Sequence, residues 1–162
     1  MQIRKAFLSD LDSLSAVENQ CFPASEAASR KNIRERLEYY PNHFWVMTDN
    51  GILVSFIDGL ATDLPDLLDE MYERADMHNE QGEWQMILGV NTILEYRKMG
   101  CAGKLIRQAI DDCKAQDRRG LVLTCKEKLM GYYSKFGFVN EGVSKSTHGN
   151  VKWYQMRLKL DK

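Results

Sequence analysis

The residue pattern with the most chemical content is Tyr96-Arg97-Lys98-Met99-Gly100-Cys101-Ala102-Gly103-Lys104-Leu105, where small side chains crowd the expected junction of an apolar strand and a helix. The first turn of a helix leaves backbone N–H groups without intrahelical partners, and the helix dipole adds partial positive charge there. Gly100, Ala102 and Gly103 would let an anion such as a phosphate approach those amides without meeting a bulky side chain. The pattern lacks both the Gly-Lys-Ser/Thr of a P-loop and the GxGxxG of a dinucleotide fingerprint, which excludes those two nucleotide motifs. A second chemical candidate lies downstream, in Tyr132-Tyr133-Ser134-Lys135-Phe136-Gly137-Phe138. A phenol is protonated at neutral pH and can hand its proton to a departing anion.

The elements that must position these residues follow from periodicity. Gln2 to Ala6 reads as a first strand, and Ser9-Asp10-Leu11-Asp12 resembles a capping box opening a helix with Leu11, Leu14, Val17 and Glu18 along its apolar stripe and edge. That helix should end near Cys21-Phe22-Pro23, and a second should run from about Ala27 to Tyr40 before Pro41. Phe44 to Thr48 and Ile52 to Ala61 flank Asp49-Asn50-Gly51, a hairpin signal. Thr62 to Gly82 reads as a long acidic loop with a helix from Asp66 to Ala75, and its Asp63, Asp66, Asp69 and Glu70 read as solvated charge.

Trp84 to Leu94 is the most apolar strand and should sit centrally, followed at once by the Gly100 turn and an amphipathic helix from Gly103 to Ala115. A buried strand from Gly120 to Cys125, a short helix from Leu129 to Phe136 capped by Gly137, an extended chain at Phe138 and an alternating strand from Trp153 to Leu160 complete the order. This is one mixed α/β (α+β) domain spanning 1–162.

The chain has 162 residues, 44% of them hydrophobic, enough for one continuous core. With 22 basic against 23 acidic residues no global field attracts nucleic acid or an anionic membrane, so neither partner is expected. Cys21, Cys101, Cys113 and Cys125 form no CxxC pair, and no histidine is spaced to complete a zinc site; reduced thiols and no metal are expected. Met1 to Ala6 lacks a signal peptide's apolar run and no stretch is long enough to span a bilayer, which together predict a cytoplasmic protein.

The order of elements and the two motifs resemble the GCN5-related N-acetyltransferase (GNAT) superfamily over nearly the whole chain. That superfamily binds the pyrophosphate of acetyl-CoA in an Arg/Gln-x-x-Gly-x-Gly/Ala loop, and Arg97-Lys98-Met99-Gly100-Cys101-Ala102 fits each defining position. Tyr132 to Phe138 is similar to its "FYxxxGF" segment. Leu123-Thr124-Cys125-Lys126, Cys21-Phe22-Pro23 with Glu26, and Ser144 to Gly149 look most like the arylalkylamine (serotonin-type) branch and its bacterial relatives. Unlike the animal enzymes of that branch, the chain has Met86 and Leu88 where two strand histidines are expected.

The resemblance implies the GNAT acyl-CoA N-acyltransferase fold, a mixed central sheet of about seven strands flanked by helices, with acetyl-CoA as donor and no metal. It places the diphosphate on amides from Met99 to Lys104, through Gly100, Cys101, Ala102 and Gly103, with Arg97 and Lys98 adding charge. Val90, Asn91 and Thr92 would run beside the pantetheine arm, and a bulge near there would free an N–H for the thioester oxygen. Tyr133 would protonate the departing CoA thiolate. Phe22, Pro23, Glu26 and His148 would line the site of a small primary amine, an aralkylamine or related amine. Glu83, Glu26, His148 and a water chain ending on a backbone carbonyl all remain open as the route for the amine's proton. A protein or peptide N-acetyltransferase, or a catalytically silent acyl-CoA-binding module, are the alternatives.

Overall fold

The computed structural model describes residues 1–161. Strand β1 (Gln2–Lys5) leads through a 3-10 turn into α1 (Leu11–Cys21), and α2 (Arg30–Tyr39) follows. Asp10, rather than a Ser9 to Asp12 box, governs the entry to α1: its carboxylate accepts the Phe7 N–H at 2.8 Å and pairs with Arg4. Helix α2 starts where Ser29 Oγ accepts the Asn32 N–H, one turn later than the apolar spacing indicates.

The predicted hairpin is present as β2 (Phe44–Asp49) and β3 (Ile52–Asp58), joined at Asn50 and Gly51, both with positive φ. The run expected to continue to Ala61 breaks at Gly59, and β4 is only Ala61–Thr62. In the long loop, helix α3 is a single turn, Glu70–Glu73, shorter than the expected 66–75. The expected single strand 84–94 is two: β5 (Trp84–Ile87) and β6 (Gly89–Thr92). Then come α4 (Cys101–Ala115), β7 (Gly120–Cys125), α5 (Met130–Ser134), β8 (Val139–Val143) and β9 (Tyr154–Lys159).

Among the described residues the strands number nine, the extra ones coming from the short β4 and the split of 84–94, and they form two sheets, β1-β2-β3-β6 and β4-β5-β7-β9-β8. Alternation along β2 and β3, shifted once at the bulge opposite Met47 and Thr48, dresses both faces of the first sheet. Phe44, Val46 and Phe56 pack with Leu14, Val17, Ile33 and Leu37 of α1 and α2, while Trp45, Met47 and Ile57 pack with Leu105, Ile106 and Ala109 of α4. Asp112 fastens α4 to this sheet by accepting from Lys5 Nζ at 2.6 Å and Trp45 Nε1 at 2.8 Å. Within the second sheet, β5 and β7 pair in parallel, with α4 in the crossover between them.

Candidate active site

Register locates the site. Ala61 faces Gln85, yet Asp58 faces Gly89, so four steps along one strand oppose three along the other, and Leu88 is the extra residue of a β-bulge. The Leu88 N–H reaches the Asp58 carbonyl at 2.7 Å. The bulge turns the chain between sheets: β5 pairs with β7 as far as Ile87 and Leu123, and β6 pairs with β3. Beyond Leu123 the strands diverge, and a cleft of about 570 Å³ opens between them, lined by Val90 on one side and Thr124, Cys125 and Tyr133 on the other.

The cleft-facing edge of β6 carries unpaired backbone groups. Because Ile93 N–H bonds the Val54 carbonyl, the antiparallel alternation commits Asn91 and Gly89 to β3 and turns Val90 and Thr92 outward. The outward Thr92 carbonyl accepts from Arg97 Nε at 2.9 Å, which ties the anion-binding candidate to the strand. Of the three predicted pantetheine neighbours, Val90 lines the cleft with its backbone turned outward, the Thr92 carbonyl is taken by Arg97 and by the Cys21 thiol at 3.3 Å, and Asn91 is buried.

At the Gly100 turn, Lys98 and Gly100 both adopt positive φ, 65° and 80°, so amides of successive residues fold into a concave nest. The first intrahelical bond runs from Lys104 N–H to the Gly100 carbonyl, leaving the N–H groups of Cys101, Ala102 and Gly103 without helical partners. Arg97, Lys98, Met99, Gly100 and Lys104 are exposed around them. Cys101 is buried, and its thiol faces the Tyr96 carbonyl rather than the cleft. A Cβ on Gly103 would stand 3.3 Å from Phe136 Cζ, so this glycine also lets α4 lie against the segment that carries Tyr133.

Tyr133 is buried on α5 and borders the cleft beside Cys125. Burial raises its phenol well above the ordinary value, with Cys125 and Tyr132 adding to it, so the hydroxyl keeps its proton at neutral pH. Burial likewise pushes the Cys125 thiol up to about 11.

The four predicted acceptor-site residues, Phe22, Pro23, Glu26 and His148, all line the same cleft, together with Tyr72 and Trp153. His148 stacks on Tyr72 with ring centroids 4.6 Å apart and 6° between planes, and its Nε2 donates to the Glu26 carbonyl at 2.8 Å. Glu26 accepts from Lys126 Nζ at 3.2 Å. The predicted solvated charge is partly employed: Asp69 accepts from Ser146 Oγ at 2.5 Å and Thr147 N–H at 3.0 Å, joining the long loop to 144–149. Glu83 lies outside the cleft, paired with Arg119.

Periodicity did not single out the polar group behind the bulge. Glu18 from α1, Arg36 from α2, Asp58 from β3 and Asn91 from β6 are all buried there. Arg36 pairs with Asp58 at 3.0 Å. Its guanidinium bonds Asp58 and acts on Glu18 only through its charge. Burial, with Asp58 nearby, pushes the Glu18 carboxyl up to about 7 despite its bond from the Ala28 N–H. The available signal was a carboxylate four residues after Leu14 on an apolar stripe.

His43, His78 and Glu80 are the one trio among the described residues with ligand atoms close enough for a metal. His78 Nδ1 accepts the Ala61 N–H, so its Nε2 carries the proton that bonds Glu80 at 2.9 Å; a protonated nitrogen does not ligate. Hydrogen bonding accounts for this trio, which lies outside the cleft.

No described helix is long and apolar enough to cross a membrane. No curated protein matches the sequence. Among solved structures, GphF GNAT-like decarboxylase in complex with isobutyryl-CoA superposes with a TM-score of 0.84 at 19% identity, covering 99% of this chain and 100% of that one. The loading GNATL domain of CurA from Lyngbya majuscula gives 0.84 at 17% identity, over 98% and 96%. The ribosomal-protein-S18-alanine N-acetyltransferase from Escherichia coli gives 0.76 at 15% identity, over 99% and 94%. The model of the acetyltransferase (GNAT) family matches residues 11–138, from α1 to the Phe138 that follows α5. The strand bulge, the amide nest and the family match coincide in one segment, and the chain belongs to the acetyltransferase (GNAT) family and is an acyltransferase enzyme of its fold.

Proposed function

We propose that the protein transfers acetyl directly from acetyl-CoA to a small primary amine, an aralkylamine or related amine, within a ternary complex. The observation that carries the donor half is the continuity from the amide nest at 98–103, along the outward backbone of Val90 and Thr92, to Tyr133 at the cleft. The nest takes the CoA diphosphate. The β6 edge pairs with the pantetheine amides as an added strand would. An outward N–H next to the bulge, that of Val90, holds the thioester oxygen as it gains charge. The amine attacks the carbonyl carbon, the C–N bond forms, the C–S bond breaks, and Tyr133 gives its proton to the sulfur.

The acceptor half rests on walls and closure. Phe22, Tyr72, His148 and Trp153 offer aromatic surface to a ring. The bond from His148 to Glu26 and those from Ser146 and Thr147 to Asp69 hold the loop at 144–149 against both neighbouring segments. An extended peptide would need an open groove there, so the small amine is favoured over a protein substrate.

Acetyl-CoA turnover against panels of aralkylamines, alkylamines and N-terminal peptides, with the N-acetyl product identified by mass, tests this. Acetylation of aralkylamines with no peptide product is expected; exclusive use of peptides overturns the acceptor assignment.

A further inference from the structure

Behind the bulge lies a buried polar cluster that reaches the cleft at Glu18 and Gly89. A Cβ placed on Gly89 would lie 3.1 Å from Asp58 Oδ1, 3.2 Å from Asn91 Nδ2 and 3.5 Å from Glu18 Oε1. Polar atoms from three elements therefore crowd Gly89, and a side chain there would press on them. Asp58 and Asn91 are closed off from solvent, and the Asn91 amide supports the Glu18 carboxylate. Glu18 is the one carboxylate of the cluster that borders the cleft.

Glu18 gives the cluster its chemistry. Its Oε2 accepts the Ala28 N–H at 3.0 Å, which fixes the carboxylate and leaves Oε1 toward Gly89. Glu18, Gly89 and Val90 all line the donor cleft. The charged and titratable groups around Glu18 are Asp58 on β3, Arg36 on α2 and, one turn along α1, Cys21. Asp58 is bonded to Arg36, so Glu18 is the carboxylate of the pair free to change its proton.

We propose that Glu18 Oε1, at the cleft beside Gly89, is the general base that takes the proton of the acceptor's ammonium group. The inference rests on the amine-acetylation reading above. The ammonium gives one proton to Glu18, and the neutral nitrogen attacks the thioester. Its second proton leaves as the tetrahedral intermediate collapses, replacing through solvent the one Tyr133 has given to sulfur. Glu18 then releases its proton to water, so one proton is produced per turnover.

The test is the pH dependence of kcat/KM for an amine, measured on wild type and Glu18→Gln, whose amide oxygen can still accept the Ala28 N–H. Acetyl-CoA affinity by calorimetry serves as the folding control. With Glu18 as base, the wild-type profile rises to about pH 7 and then stays flat up to the amine's own pKa. The variant instead climbs with unit slope through that whole range, as unassisted attack by free amine requires, and is roughly 100-fold or more slower at pH 7 with acetyl-CoA affinity unchanged. A wild-type profile that climbs without a plateau overturns the proposal even if Glu18→Gln does not fold. A variant with wild-type rate and profile overturns it too, while leaving amine acetylation standing. A wild type that acetylates no amine overturns both.

Discussion

His148 Nε2 donates to the Glu26 carbonyl at 2.8 Å, and this bond joins the loop before β9 to the turn after α1 beside the cleft that both line. The same imidazole lies flat on Tyr72, so one side chain ties three segments remote in sequence. This end of the cleft is closed by side-chain contacts rather than by a regular element.

Substituting His148 should therefore loosen the pocket without touching the chemistry. A hydrogen bond and an aromatic contact are each worth about 1 kcal/mol. His148→Ala is expected to raise the amine KM about 5- to 30-fold with kcat nearly unchanged, in steady-state assays at saturating acetyl-CoA. An equal fall in kcat at constant KM would assign His148 to the reaction itself.

Tyr133→Phe removes only the proton donor, because the ring continues to fill its place against Phe138 and Tyr132. Turnover should fall by about 10²- to 10⁴-fold, the usual span for an acid or base. Calorimetric affinity for acetyl-CoA should stay within a factor of two or so. Unchanged turnover would remove the role.

Gly100 precedes α4 with φ 80°, a conformation that an L side chain enters at a cost of about 1–2 kcal/mol. Gly100→Ala meets no neighbour within 4 Å, so any effect comes from the backbone rather than from a clash. Acetyl-CoA affinity is expected to fall roughly tenfold as the nest relaxes, with a lowered thermal midpoint. Wild-type affinity together with lowered stability would show that the nest does not hold the donor.

Glu18 also makes a prediction about stability. Its folded pKa of about 7 exceeds the ordinary carboxylate value, so the folded state binds more protons than the unfolded one between those pH values. The fold thus loses stability as pH rises through that window, by roughly 3 kcal/mol once Glu18 is fully ionised. Glu18→Gln should be more stable than wild type at pH 8 and about equal to it at pH 4, by urea denaturation. Greater wild-type stability at pH 8 would mean that Glu18 serves chiefly as a partner of Arg36.

The turn and helices that border the cleft were legible because they are local. The amide nest, the amphipathic face of α4 and the helix carrying Tyr133 depend on residues within a few positions of one another, and 3.6-residue periodicity with glycine placement reports them directly. The expected strand 84–94 misled for the same reason. Its apolar run is real, yet the break at Leu88 follows from pairing with β3 on one side of the bulge and β7 on the other, which no window of that run contains.

What the sequence determined by itself was the glycine turn before α4, the amphipathic face of that helix and the short helix that carries Tyr133, all set by short-range backbone and side-chain preferences. Only the tertiary structure decided that β6 leaves β7 to open a cleft. It alone brought Glu18, Arg36, Asp58 and Asn91 together behind Gly89 and tied His148 to Glu26. Those residues stand far apart along the chain, and burying several polar groups in one place becomes favourable only when distant elements supply each other's partners.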